Sequence, residues 1–290
     1  MRSFAVILGP AARRGLSRLM PVAHELRAAG GAPVRVDYTQ TVGQARRAAT
    51  AVVRQGEIVV AAGGDGTIRL LGGAVAEAGG LLGVIPAGRG NDFARQLRLP
   101  RSPAALADLL LHAPPRYLDV LRVAGQTVVG SVYTGVDAVA NDLANRSRLP
   151  ASLVYPAAGL RALLRWPRTQ YTVSVAGHVT QVDAYTVVVA NCGYYGGGLH
   201  VAPTAQPDDG TLDVVVLGRT TKLLLPVALP QLRTGRHLRR RQVTCYRGES
   251  VTIHTDRPVT VYGDGDPVDR ADRIQVEVRR RALGLLAWAP

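Results

Sequence analysis

Lysine is all but missing: of the 35 Lys plus Arg residues in this 290-residue chain, only Lys222 is lysine. Lys222 follows Thr220-Thr221 without the glycines of a Walker A loop, no G-x-G-x-x-G follows the first apolar run, and no G-x-S-x-G elbow occurs. These absences exclude P-loop, dinucleotide and α/β-hydrolase signatures. The two cysteines, Cys192 and Cys245, lie far apart with no C-x-x-C, and His24, His112, His178, His200, His237 and His254 are scattered without metal-ligand spacing. A disulfide scaffold and a zinc site are both excluded, and a reduced, cytoplasmic setting is expected. Aromatic residues make up 5% of the chain, and no helix-turn-helix, zinc finger or aromatic RNA motif is present, so no nucleic-acid partner is expected. No stretch reaches the ~18 uncharged apolar residues of a spanning helix. The opening apolar run, Phe4 to Gly9, precedes Arg13 and Arg14, an order wrong for a secretory signal. The expectation is a soluble chain that at most sits on a membrane surface.

What is present is a large apolar fraction and an excess of positive charge. Hydrophobic residues make up 47% of the chain, enough for a real core, and the length suits roughly two domains. The formal charge of +14 predicts attraction to acidic partners such as nucleic acid, an anionic membrane or phosphorylated ligands.

The first half alternates two periods. Phe4 to Leu8 reads as a buried strand, Gly15 to Ala29 as a helix, Val34 to Tyr38 as a strand, Gly43 to Gln55 as a helix and Ile58 to Ala62 as a third strand. A helix over Ile68 to Ala78 and a strand over Leu81 to Ile85 follow. This β-α-β-α-β order predicts a doubly wound parallel sheet. Beyond about Asp119, short β-branched runs replace it: Val120 to Val123, Thr127 to Thr134, Tyr171 to Val175, Ala184 to Ala190, Thr211 to Leu217, Gln242 to Cys245, Ser250 to His254, Val259 to Tyr262 and Ile274 to Val278. Such spacing predicts an antiparallel sandwich or barrel, interrupted by one helix near residues 151–165. The division expected is 1–119 and 120–278, with 279–290 a candidate to rejoin the first domain.

Two glycine loops follow strands of the expected parallel sheet, where such sheets bind ligands. Gly63-Gly64-Asp65-Gly66-Thr67 lets backbone N–H groups approach a polyphosphate, adds the Thr67 hydroxyl, and offers Asp65 to a magnesium ion or an attacking hydroxyl. An ordinary tight turn before a helix is the alternative. The second loop, Pro86-Ala87-Gly88-Arg89-Gly90-Asn91-Asp92, would face the same crevice.

Together with Phe93-Ala94-Arg95, this pair of loops resembles the bacterial diacylglycerol kinase-like lipid kinases, whose catalytic domain is shared with sphingosine and ceramide kinases. The resemblance runs on through Arg116 to Val123, Asn191 to Leu217 and Val261 to Val268, and so spans essentially the full length. It implies an N-terminal α/β domain of the NAD kinase and phosphofructokinase type and a C-terminal β-sandwich. The activity implied is transfer of the ATP γ-phosphoryl group to a lipid hydroxyl, with Mg2+ and with diacylglycerol as acceptor. By the same resemblance Thr39, Gly63, Gly64, Asp65, Gly66, Thr67, Arg89, Asn91 and Asp92 would bind the nucleotide, and Asp119 would join the carboxylate network.

Asp264-Gly265-Asp266 stands where the family has D-G-E, so Asp266 takes the place of the general base, while D-G between β-branched runs also reads as a hairpin turn. Pro207-Asp208-Asp209-Gly210-Thr211 resembles the family's structural magnesium loop, implying Asp209 as carboxylate ligand with carbonyls near Gln206 and Thr211. Three departures stand out: Gly9-Pro10 for Asn-Pro, Arg89 for Thr, and Leu70 for Glu. Arg89 reads as a phosphate clamp or a solvated side chain. Arg161, Arg165 and Arg168, interleaved with Leu160, Leu163, Leu164 and Trp166, and the five arginines of Arg233 to Arg241, suggest docking on an anionic membrane, against a solvated helix face as the alternative. A peripheral position on the inner face of the membrane is expected, with a homodimer left open. Other readings are a sphingoid-base or other lipid kinase, a catalytically silent lipid sensor and a non-catalytic arginine-rich nucleic-acid binder.

Overall fold

All of Phe4–Leu8 (β1) is buried, as a strand covered on both faces requires, and its apolar run is continuous rather than alternating. The computed structural model describes residues 2–9, 12–29, 34–88, 90–145, 161–162, 169–219 and 229–288. They fall into two units, Met1–Val120 with Arg280–Pro290, and Leu121–Arg279.

In the first unit β1 is followed by α1 (Ala12–Ala28), which buries Leu19, Val22, Ala23 and Leu26. Next come β2 (Val34–Tyr38), α2 (Val42–Arg54), β3 (Ile58–Gly63), α3 (Asp65–Ala78) and β4 (Leu81–Pro86). Thr41 caps α2 by accepting the Gln44 N–H. The strands lie parallel in the order β2-β1-β3-β4, with Val6 beside Val36 and Val60, and Ala61 beside Val84. Two more helices follow, α4 (Asp92–Gln96) and α5 (Pro103–His112), then β5 (Pro115–Val123). Ser102 caps α5 with Pro103 in its first turn, and Arg2 donates to the Leu110 and Ala113 carbonyls at its other end.

The second unit is antiparallel. Its elements are β6 (Gln126–Val128), β7 (Ser131–Gly135), α6 (Val136–Asn145), β8 (Gln170–Val175), β9 (His178–Ala190), the short pair β10 (Tyr194–Tyr195) and β11 (Leu199–His200), β12 (Leu212–Gly218), two 3₁₀ turns (Leu229–Arg233 and Arg236–Arg239), β13 (Val243–Gly248), β14 (Ser250–Gly263) and β15 (Asp266–Leu286). The first half of β9 pairs with β8, and its second half lies between β7 and β12. β14 likewise pairs with β8 through Thr255 and with β7 from Val261. Strands that change neighbours in this way turn the corner between two layers. Alternation along β9 then fills two cores: Val187 and Val189 pack with Tyr171, Val173 and Val214, whereas Val188 and Ala190 pack with Tyr133, Val215 and Tyr262. The last residues of β15 return to the first unit, where Gly284 and Leu285 run parallel to Leu81 and Leu82.

Several expected elements change shape. Thr127 to Thr134 is two strands broken at Val129-Gly130, and α6 stands where no helix is expected. Ser250 to His254 and Val259 to Tyr262 are one strand with a register break between them, where Pro258 has no N–H to give. Of the helix expected over 151–165, only Arg161 and Ala162 are among the described residues, and both are helical.

Candidate functional site

The two glycine loops interlock. β3 ends at Gly63, whose carbonyl accepts the Ala87 N–H at 2.8 Å, so the loops after β3 and β4 leave their strands side by side. A methyl group added at Gly88 would lie 2.5 Å from the Gly64 Cα, and one at Gly64 would lie 3.1 Å from the Gly88 Cα. Gly88 must be glycine for this backbone-to-backbone approach, and at Gly64 a side chain would be a tight fit. Asp65 opens α3 and its Oδ1 accepts the Phe93 N–H at 3.0 Å, tying the first loop to the start of α4. Its Oδ2 has no hydrogen bond among the described residues. Gly64 caps α3 without a side-chain bond, so among the described residues no side chain caps the first N–H groups of the helix. Around Gly66 a Cβ would meet nothing within 4 Å, which leaves open space beside those groups.

Asn91 and Asp92 serve the second loop from within. Asn91 takes the left-handed conformation at φ 51°, its Oδ1 accepting the Gly88 N–H at 2.8 Å and its Nδ2 donating back to the Gly88 carbonyl at 3.1 Å. Asp92 is buried and ion-paired to Arg95 at 3.2 Å. Thr39, after β2, is buried, and its hydroxyl donates to the Leu8 carbonyl at 3.0 Å. Thr67 fills the space against Gly63. Asp119 is buried and accepts the Arg281 N–H at 2.6 Å, which pins the returning C-terminal strand. Arg89 and Pro10 lie outside the described residues, as do Leu160, Leu163, Leu164, Arg165, Trp166 and Arg168.

In the second unit the Asp264-Gly265 pair makes the two-residue turn between β14 and β15, with φ of 55° and 100° and Gly263 opposite Asp266. Asp264 is the staple of this turn. Its Oδ2 accepts the Val129 N–H at 2.7 Å and its Oδ1 those of Gly130 and Ser131 at 2.8 and 3.1 Å, in the break between β6 and β7. Asp266 follows at the exposed start of β15.

At the Asp209 turn, Oδ1 accepts both the N–H and the hydroxyl of Thr211, at 3.0 and 2.6 Å. Oδ2 lies 3.7 Å from the Arg247 guanidinium. That guanidinium also lies 3.4 Å from Asp213 Oδ2 and donates to the Thr204 carbonyl at 2.8 Å, and the Thr204 hydroxyl donates to Asp213 Oδ1 at 2.5 Å. Every oxygen of the two carboxylates thus faces an N–H, an O–H or a guanidinium. Gln206 is exposed beside the turn. A magnesium ion on Asp209 would sit against a guanidinium already sharing that carboxylate, so the turn as folded does not fit one.

One cluster escaped the sequence reading. Asp137, in the first turn of α6, accepts hydrogen bonds from the Tyr195 hydroxyl and, at 3.2 Å, the Thr186 hydroxyl. Desolvation raises its carboxyl above the ordinary value of 3.8, and the two hydrogen bonds work against that shift. Tyr195 stacks on Tyr133 and Tyr133 on Tyr262, at 5.3 and 5.8 Å between centroids. The available signal was the spacing of Val136, Val139, Ala140 and Leu143, which marks a helix beginning beside Asp137.

Comparison with known proteins sets this geometry in a class. The diacylglycerol kinase catalytic domain matches residues 3–123, and the YegS C-terminal NAD kinase beta sandwich-like domain matches residues 130–287. A two-domain kinase is thereby defined. The chain belongs to the diacylglycerol kinase-like family of lipid kinases. It is 33% identical over 260 residues to a diacylglycerol kinase of Mycobacterium tuberculosis strain H37Rv, covering 83% of this chain and 84% of the relative. A Stenotrophomonas maltophilia protein named “Probable lipid kinase YegS-like” is 28% identical, with 90% and 89% covered. A crystal structure of a diacylglycerol kinase from Bacillus anthracis str. Sterne superposes with a TM-score of 0.74 at 19% identity, covering 99% and 96%.

Proposed function

We propose that this kinase transfers the γ-phosphoryl group of ATP to the free hydroxyl of diacylglycerol. The observation that carries the donor side is the interlock of Gly64 and Gly88, with open space at Gly66 beside helix N–H groups and an Asp65 oxygen that have no partner among the described residues. Backbone N–H groups at a helix start, with no Cβ in the way, suit a polyphosphate. Magnesium entering with ATP would neutralise the phosphate charge, and Asp65 Oδ2 is the atom fitted to hold it. Asn91, Asp92 and Thr39 then act by holding the loops, since their described bonds are to backbone or to Arg95.

On the acceptor side Asp266 takes the proton as the hydroxyl oxygen attacks the γ-phosphorus; the bond to the β–γ bridging oxygen breaks and ADP leaves. Asp264 cannot share this work, because its oxygens are committed to three N–H groups. The acceptor assignment draws on the M. tuberculosis relative's name, and a sphingoid base is its nearest competitor. Docking on an anionic leaflet at the cytoplasmic face is part of the proposal, carried by the exposed Arg233, Arg236, Arg239 and Arg241. Among the described residues no helix is long and apolar enough to cross a membrane.

The test is ATP consumption over a panel of short-chain diacylglycerol, sphingosine, ceramide and monoacylglycerol, run with wild type, Asp65→Asn and Asp266→Asn. Turnover with diacylglycerol that falls at least ~100-fold in each variant is expected, the usual scale of general-base and positioning effects. Near-normal turnover in Asp266→Asn removes the base assignment, and a preference for sphingosine reassigns the acceptor.

A further inference from the structure

We propose that Arg247 is a built-in cation for the 204–213 turn, occupying the place a divalent ion would need, so that this turn is ordered without metal. Three acceptors from separate points of the chain meet at its guanidinium: the Thr204 carbonyl at 2.8 Å, Asp213 Oδ2 at 3.4 Å and Asp209 Oδ2 at 3.7 Å. One backbone carbonyl and two carboxylates are the hard oxygen set that would otherwise gather round a magnesium or calcium ion. The remaining carboxylate oxygens are closed by the hydroxyls of Thr204 and Thr211 and by the Thr211 N–H.

Position, as well as charge, makes Arg247 suited to this role. It stands on β13 directly opposite Asp213 on β12, in an unbroken ladder that runs from Leu212–Gly248 to Leu217–Val243. Strand pairing therefore fixes its backbone, and one planar fork can reach both carboxylates, Nη2 towards Asp213 and Nη1 towards Asp209. A bound ion leaves when its free concentration falls, whereas a side chain cannot dissociate. Magnesium then enters this protein's chemistry only with the nucleotide, and chelation should touch turnover without touching the fold.

Thermal unfolding of the full chain without nucleotide separates the two kinds of magnesium dependence, and it reads out independently of any activity. Wild type is expected to keep its Tm within about 1 °C between excess EDTA and millimolar magnesium, while Arg247→Gln falls by about 2–4 °C in EDTA, the scale of 1 kcal/mol in a domain this size. Magnesium or calcium should restore that loss in Arg247→Gln, because the vacated oxygens can then take an ion. Arg247→Lys, which keeps the charge, should lose less in EDTA and respond less to either ion. A saturable rise in wild-type Tm with magnesium overturns the proposal, as does an Arg247→Gln loss that neither ion restores. Titration calorimetry of wild type with magnesium covers the case in which Arg247→Gln does not fold: no binding heat supports the built-in cation, and stoichiometric binding refutes it.

Discussion

Asp264 and Asp266 are two residues apart and chemically alike, yet the fold gives them opposite work. Three N–H groups converge on Asp264, and amide nitrogen in Asp264→Asn would set a donor against a donor at Val129 or at Gly130 and Ser131. That substitution should cost about 2–3 kcal/mol of stability by denaturant unfolding, the scale of an unsatisfied buried donor. Asp266 is exposed, so Asp266→Asn should stay within about 0.5 kcal/mol of wild type while losing turnover. Asp137 gives a pH signature of its own. Burial makes the folded chain hold its proton more tightly than the unfolded chain does, so the stabilisation is full below the ordinary value of 3.8 and is lost as pH rises through the raised folded value. Asn at 137 keeps an acceptor for Tyr195 and never ionises. The Tm of Asp137→Asn relative to wild type should therefore climb as pH rises above the ordinary value of 3.8, and a pH-independent difference would contradict the desolvation of this charge.

At the scale of elements, the start of α3 tests whether the glycine loops are a phosphate cradle or merely tight turns. Gly66→Ala adds a methyl group into empty space inside a helix, so stability should hold or rise by up to about 1 kcal/mol. If the loop is the phosphate cradle proposed above, ATP affinity should nevertheless fall, because the methyl group would occupy the open space beside the helix N–H groups; unchanged affinity by titration calorimetry would make the loop a turn and nothing more. Gly88→Ala should do both kinds of damage, since its methyl group collides with the Gly64 backbone at 2.5 Å. The two loops were legible in sequence because each follows a strand buried along most of its length, and such strands read as unbroken apolar runs. Elements whose signal is mixed were not. α6 follows β7 with no polar spacer, so the helical spacing that starts at Val136 is masked by the apolar run before it; in the structure the left-handed Gly135 at φ 122° marks the change. Most of β15 was hidden by Asp266, Asp269, Arg270, Asp272 and Arg273, whose charges interrupt the apolar pattern that a strand search follows. The hairpin turn at Asp264-Gly265 was legible, but the grip of the Asp264 carboxylate was not, because its partners Val129 to Ser131 lie far away in the chain and contribute only backbone.

For the whole molecule the deciding quantity is the excess of 35 basic over 21 acidic residues. Some of that excess is spent inside the units: Arg2 caps α5, Arg247 closes the Asp209 turn, Arg95 pairs with Asp92 and Arg240 donates to Gln231. Such arginines are neutralised or anchored and contribute little to a distant surface field. Arg233, Arg236, Arg239 and Arg241 are different, being exposed on and beside the two 3₁₀ turns, where buried His237 anchors the segment by a 2.9 Å bond to the Val201 carbonyl. Desolvation holds the His237 pKa below its ordinary value, so the imidazole is neutral at physiological pH and the field of this segment comes from the guanidinium groups alone. If that field is a docking device, each cation near an anionic leaflet is worth about 1 kcal/mol, so replacing Arg233, Arg236 and Arg239 together by Gln should weaken binding to phosphatidylglycerol vesicles on the order of 100-fold at low salt. Raising the ionic strength should erase most of the difference, because exposed charges are screened within about 10 Å at 0.1 M salt. ATP affinity in solution should not change, since none of the three lies in the glycine loops. Equal binding of the triple variant and wild type in a vesicle sedimentation assay would make these arginines an ordinary solvated face.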